Sequence, residues 1–199
     1  MIHEGVIVTR GADGQPHITP LGMRIEDGLT VLSPFRPSTT LNNLEASGVA
    51  TMNFVDDVRV IAGCLTGRRA FDLVDAEPEL APRLACALTA DFMRVKSVDA
   101  DPVRPKFFCE VVRTEAVAPF RGFNRAQAAV LEAAILFSRV RMLPAEKLER
   151  ELAYHTIAID KTAGPREQEA WGWLMQAFAE HGIGPSDARA DAGAPANVP

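Results

Sequence analysis

The stretch from Leu32 to Asp57, LSPFRPSTTLNNLEASGVATMNFVDD, decides how the rest of the chain is read. It leaves an apolar run, turns through Pro34 and Pro37, and presents three successive hydroxyls at Ser38, Thr39 and Thr40. A short amphipathic helix is expected over about residues 38–47, stopped by Gly48, and Val49 to Val55 then read as a strand. The first N–H groups of a helix have no intrahelical acceptor, and the helix dipole adds ~0.3–1 kcal/mol for an anion there. Hydroxyls at that point therefore make a seat for a phosphate. The same hydroxyls also make an ordinary N-cap, satisfying only their own helix. Both readings stand at this stage.

Upstream, residues 2–9 (IHEGVIVT) read as a strand, and Gly11 and Gly14 supply the positive-φ positions of a reversal. The strand HITPLGM, residues 17–23, follows and contains Pro20. A proline lacks the N–H of a ladder, which places this strand at an edge, at a bulge, or against something other than a neighbouring strand. Gly22 has no side chain and so allows a flat ligand close to the backbone. A second turn at Glu26-Asp27-Gly28 leads to the strand 29–32. Downstream, residues 56–65 suggest one or two helical turns. Residues 88–95 and 107–112 read as strands on either side of a turn at 99–105.

After Pro119 the period changes to helical. Apolar positions 126, 129, 130, 133, 134, 137 and 140 form a stripe, and Asn124 with Gln127 resembles a capping box. Pro144 opens a second helix to about Asp160, and residues 167–181 form a third. Residues 184–199 hold few large apolar side chains and are expected to be disordered. Tight-turned strand pairs without βαβ spacing or G-x-G-x-x-G give an α+β class: an antiparallel barrel with a three-helix C-terminal appendage. The expected division is 1–120 for the barrel, 121–183 for the helices and 184–199 for the tail.

The 199 residues carry a net charge of −5, with 47% apolar and 24% charged residues. That balance argues against a nucleic-acid partner, which needs a basic face. It leaves room for one phosphate-bearing ligand. No long uncharged apolar run and no leader pattern are evident, so a cytoplasmic protein with no membrane partner is expected. Cys64, Cys86 and Cys109 stand far apart and read as buried free thiols. No G-x-S-x-G, H-E-x-x-H or Walker sequence occurs, and the histidines lack metal-ligand spacing, so no metal is expected. Asp56-Asp57 reads either as an acid/base pair or as the start of a helix. Without a set of side chains for hydrolysis or acyl transfer, any enzymatic chemistry falls to a cofactor.

The order of motifs adds to this reading. A strand ending at Thr9 with glycines at 11 and 14 is followed by HITPLGM (17–23), PFRPSTTLNNL (34–44) and ATMNFVDD (50–57). FNRAQAAVLEAAI (123–135) and TAGPREQEAW (162–171) come later. Together they resemble a family of FMN-binding split-barrel proteins of methanogenic archaea and methylotrophic bacteria. A more distant likeness runs to pyridoxamine-phosphate-oxidase-like and flavin-reductase-like barrels. The resemblance implies a homodimer with FMN at the subunit interface. It places the phosphate on Arg36, Ser38, Thr39, Thr40 and Asn43, and the ring against Thr19, Pro20, Leu21 and Gly22. Asn53, Asn124, Arg125 and Trp171 complete the implied cofactor set.

Two functions follow as expectations. One is an oxidoreductase exchanging hydride at flavin N5 with a small-molecule substrate or electron donor (NADH, NADPH, a deazaflavin or a pterin). The other is a non-catalytic flavin carrier or a flavin- or pterin-sensing module. A haem-binding barrel, with His3 or His17 as axial ligand, is a third.

Overall fold

Antiparallel pairing closes six strands of the computed structural model into a barrel; the structure describes residues 1–184. The order around the barrel is β1 (His3–Arg10), β2 (Pro16–Glu26), β3 (Leu29–Leu32), β8 (Lys106–Ala116), β7 (Thr89–Asp99) and β4 (Val49–Phe54), which returns to β1. The two-stranded sheet of β5 (Leu73–Val74) and β6 (Arg83–Leu84) lies outside this ring. Among the described residues five helices complete the fold: α1 (Thr39–Ser47), α2 (Arg59–Leu65), α3 (Arg125–Phe137), α4 (Ala145–Thr162) and α5 (Pro165–Ala179). The expected antiparallel barrel and the three late helices are both present. The long strands run further than their alternation suggested, β2 to Glu26 and β8 to Ala116. Of the tail expected at 184–199, all but Gly184 lies outside the described residues.

Local chemistry explains the reversals. Asp27 and Gly28 both adopt positive φ, 50° and 79°, as a two-residue hairpin between right-twisted strands demands. Helix α1 begins where the Ser38 hydroxyl accepts from the Leu41 N–H at 3.2 Å, and it ends at Gly48, φ 67°. The loop before it is held to the β7–β8 turn. The Arg36 N–H donates to the Val103 carbonyl at 2.8 Å, and Arg104 donates to the Ser33 carbonyl and lies over the Phe35 ring.

Strand alternation sorts the apolar side chains into two cores. Inside the barrel, Ile7, Met23, Leu32, Met52, Met93 and Phe107 pack with Leu41 and Leu44 of α1. On the outer face, Val6, Val8, Ile18 and Phe92 pack with residues of α2, α3, α4 and α5 in one continuous cluster. The C-terminal helices thus share a core with one wall of the barrel. Two thiols are sealed in these cores: burial pushes Cys64 up to about 11 and Cys109 up to about 12. Cys86 is only half-buried. No helix among the described residues is long and apolar enough to cross a membrane.

Candidate functional site

Strand β2 has two different edges. Residues 16–23 pair with β1, from Arg10↔Pro16 to His3↔Met23, whereas β3 joins only from Met23 onward. The segment 16–22 is therefore a one-sided strand, which is where a proline is tolerated. The Ile18 carbonyl shows which way the open edge faces. It accepts from Arg69 Nη1 at 2.8 Å and from the Cys64 thiol at 3.6 Å, both outside the barrel ladder. Pro20, two residues on, has the same orientation, so its missing N–H removes no bond to β1. At Gly22 the space beside Cα is already taken. A Cβ there would stand 3.0 Å from Ile2 Cγ2 and 3.4 Å from the Glu4 carboxylate. Packing within the chain accounts for that glycine without a ligand.

A cleft opens at each end of the β1–β2 ladder. One, of about 400 Å³, lies between the β1–β2 turn and α1 and is lined by Gly11, Asp13, Gln15, His17, Thr39 and Asn43. Thr39 is exposed, whereas Thr40 is only 4% exposed. Thr39 and Thr40 stand in the first turn of α1, where the helix offers their N–H groups no acceptor. Asn43, one turn on, is buried and donates to Thr9 Oγ1 at 3.0 Å, leaving its carbonyl oxygen on the side of Gly11. His17 stands across the ladder from Thr9 and completes the wall. Burial, and secondarily the Arg69 charge, hold its imidazole below the usual histidine value. Arg36 is absent from this cleft. Its guanidinium pairs with Glu45 at 2.6 Å on the exposed side of α1.

The second cleft, of about 350 Å³, is apolar and lies where β1 begins and β4 ends, against α3. Gly5, Val55, Val58, Ile61 and Leu131 form its floor. Phe120 and Phe123 stand at it edge to face, 5.3 Å apart and 57% and 100% exposed. Glu4 and Asp56 contribute carboxylates. By register, Glu4 faces Gly22 and Gly5 faces Leu21, so this cleft adjoins the far end of the one-sided β2 segment. Gly5 allows a close approach: a Cβ would fall 2.6 Å from Met52 Sδ and 3.2 Å from the Asn53 carbonyl oxygen, so Met52 would have to move.

The remaining sequence-derived residues divide clearly. Asn53 is fully buried, and its amide is occupied within the barrel. It donates to the Val6 and Thr51 carbonyls at 3.0 Å each and accepts from the Leu84 N–H at 2.8 Å. It ties β4 to β1 and β6 and offers no face to a ligand. Asn124 caps α3, accepting from Ala126 at 2.7 Å and Gln127 at 3.3 Å, while its amide donates to the Thr162 carbonyl. Its edge reaches the apolar cleft, but its polar atoms are engaged. Arg125 lines a separate groove between α3 and α4 with Tyr154 and His155. Trp171 packs on the outer core; its neighbour Trp173 is the tryptophan that lines a cleft, together with Asp57, Arg59, Phe71 and Cys86.

Asp57 is no free acid. Burial pushes its carboxyl up, but Arg59, bonded at 2.9 and 2.7 Å, outweighs that and holds it below the usual range. Of the pair, only Asp56 faces the apolar cleft. No group of three or more metal-ligating side chains occurs among the described residues. Sequence reasoning missed the aromatic pair at 120 and 123, which has no periodic signal, and weighed His17 only as a metal or haem ligand.

Comparison with known proteins adds the family. The model of a protein family of unknown function, DUF447, matches residues 3–118 with its N-terminal domain and 124–176 with its second part. No curated protein matches the chain. Among solved structures, the FMN-bound DUF447 protein of Methanosarcina mazei aligns with 88% of this chain and 94% of its own, at 19% identity and a TM-score of 0.74. A homolog of nitrilotriacetate monooxygenase component B from Mycobacterium thermoresistibile aligns with 61% of this chain and 73% of its own, at 19% identity and a TM-score of 0.50. At these identities the likeness is one of fold: the split barrel.

Proposed function

The chain belongs to the DUF447 family, and from that premise we propose that it binds FMN and serves as a flavin-dependent oxidoreductase. The observation that carries the reading is the pair of clefts along β2. A polar one, with helix N–H groups, a hydroxyl and an amide, lies at His17, and an apolar, aromatic one adjoins Gly22. Five residues of strand separate His17 from Gly22, about 17 Å at ~3.4 Å per residue, which suits the length of an extended flavin mononucleotide. The FMN-bound relative of the same fold supports it.

The donor chemistry fits the group. A phosphate near −2 charge needs several donors, and the first turn of α1 with Thr39 supplies N–H and hydroxyl groups. Arg36 joins only after leaving Glu45, an exposed pair that holds it weakly. The chemistry that FMN supplies when bound is hydride exchange at N5. The chain's own contribution is to orient the ring along Thr19, Pro20, Leu21 and Gly22 and to exclude water from one of its faces. Phe120 and Phe123, bare on a single chain, suit burial against a second copy, and a homodimer sharing the flavin site forms part of the proposal.

One observation favours the non-catalytic alternative. Asn124 and Gln127, the amides at the apolar cleft, are both tied internally, Gln127 to Glu167 at 3.2 Å. Neither amide is therefore free to orient a substrate, and Glu4 and Asp56 are the ionisable side chains left at the cleft. Anaerobic reduction separates the two readings. Protein loaded with FMN should be bleached near its visible maximum by NADH, NADPH, a reduced deazaflavin or a reduced pterin. FMN bound but reduced by none of these makes the protein a carrier or sensor. Light scattering on Phe123→Ser should show a shift toward monomer, and an unchanged mass removes that residue from the interface.

A further inference from the structure

The polar cleft holds one ionisable nitrogen, and it was not among the residues that the resemblance assigned to the phosphate. We infer that His17 is the cationic wall of the phosphate end, taking up a proton as FMN binds and gripping the phosphate across the cleft from Thr39 and Asn43. This rests on the FMN reading above.

The geometry is local and specific. Thr39 and Asn43 are one helical turn apart on the same face of α1, and both line the cleft with His17. Thr9, opposite His17 on β1, holds the Asn43 amide at 3.0 Å and so fixes the facing wall. The other charges around the imidazole are accounted for. Asp13 lines the same cleft and keeps its negative charge although its Oδ1 accepts from the Gln15 N–H at 3.0 Å, so the phosphate belongs on the Thr39 side of the cleft, away from it. Arg69 comes from the segment after α2 and donates to the Ile18 carbonyl. Arg10, at the end of β1, turns to the Gly14 and Leu80 carbonyls at 3.2 and 3.4 Å. Helix α1 brings no charged residue to the cleft: its one charged residue, Glu45, pairs with Arg36 of the preceding loop on the exposed side.

The direction of the effect follows. In the free protein, burial and Arg69 keep the imidazole neutral near pH 7. A phosphate approaching two negative charges above its second ionisation, at about pH 6, favours imidazolium and raises the bound value above the free one. FMN affinity therefore grows as pH falls through the bound value and levels off below the free one. Riboflavin lacks the phosphate and has no such slope.

The experiment is a fluorescence titration of the full chain with FMN and with riboflavin, between about pH 8 and pH 6.5. For the wild type, the FMN Kd should fall roughly fivefold over that range, within the tenfold-per-unit ceiling of a single linked proton. In His17→Gln the FMN Kd should be higher at the acid end and flat with pH, while riboflavin binds both proteins equally and without slope. A slope that persists in the variant, or that riboflavin shares, overturns the inference. FMN bound without a His17-linked slope overturns this inference alone, whereas no FMN binding at any pH removes the FMN reading with it. A second measurement needs no variant: the His17 ring proton of the wild type should titrate at higher pH with FMN than without, and an unmoved titration also overturns it.

Discussion

The two ends of the β1–β2 ladder are built from the same pair of strands and differ in almost everything else. At Thr9↔His17 the neighbours are a helix start and a glycine-containing turn, so the cleft is polar and its donors are partly unfilled. At Glu4↔Gly22 and Gly5↔Leu21 the neighbours are a helix flank and two exposed phenylalanines, so the cleft is apolar and its amides are already bonded. One strand pair thus carries a polar cleft at one end and an apolar cleft at the other. The difference lies in what α1 and α3 bring to each end, and not in the strands.

The largest effect should come from breaking the tie between β4, β1 and β6, on which both clefts rest. Asn53→Leu orphans the buried Leu84 N–H and removes two bonds to carbonyls. At ~1–3 kcal/mol for each buried group left unpaired, a loss of about 3 kcal/mol or more is expected, lowering the melting temperature by roughly 6–12 °C. Thermal unfolding followed by circular dichroism checks it, and a change under ~2 °C would show that Asn53 is replaceable.

Thr39→Ala touches the polar end alone. FMN affinity should drop tenfold or more, at ~1.5–3 kcal/mol for a bond to a charged group, with riboflavin binding and stability unchanged because Thr39 is exposed. If riboflavin weakens equally, the phosphate does not sit on α1. Gly5→Val touches the apolar end. Its side chain collides with Met52 and comes close to the Asn53 carbonyl, costing about 1–3 kcal/mol by overpacking, as chemical denaturation should show. The smallest effect is confined to acid. Arg59 holds the Asp57 carboxyl below its usual value, so the stability it contributes is present above the ordinary carboxylate range, about pH 4, and is lost as pH falls through the lower folded value. Asp57→Asn should flatten that acid limb and leave the rest of the pH profile alone; an unaltered limb would put the acid sensitivity elsewhere.

Much of this architecture was legible in the residues. Turn chemistry at Gly14 and Asp27-Gly28 gave the hairpins, although Gly11, also expected at positive φ, does not adopt it; the change of period after Pro119 gave the late helices. Ser38 and Asn124 do cap their helices, as their types and positions suggested. The resemblance puts Asn53 in the cofactor set, and an asparagine at a strand end carries no local pattern that argues against it. Only the pairing of β4 with β1, and the approach of Leu84, shows that its amide is fully engaged. Trp171 and Trp173 stand two residues apart on different faces of α5, and only the packing of that helix decides which one meets a cleft.

What the sequence determined by itself was local: where the chain turns, where helices start, which residues alternate, and a hydroxyl-rich helix start that suits an anion. These depend on neighbours within a few residues, where backbone sterics and capping act. The tertiary structure alone decided that β3 ends at Leu32, opposite Met23, leaving the rest of β2 one-sided. It also decided that Arg36 turns to Glu45, and that His17 faces Thr39 across a cleft while Phe120 and Phe123 stand bare at another. Those facts depend on contacts between residues far apart in the chain. Register and helix docking set such contacts, and no short stretch of residues encodes them.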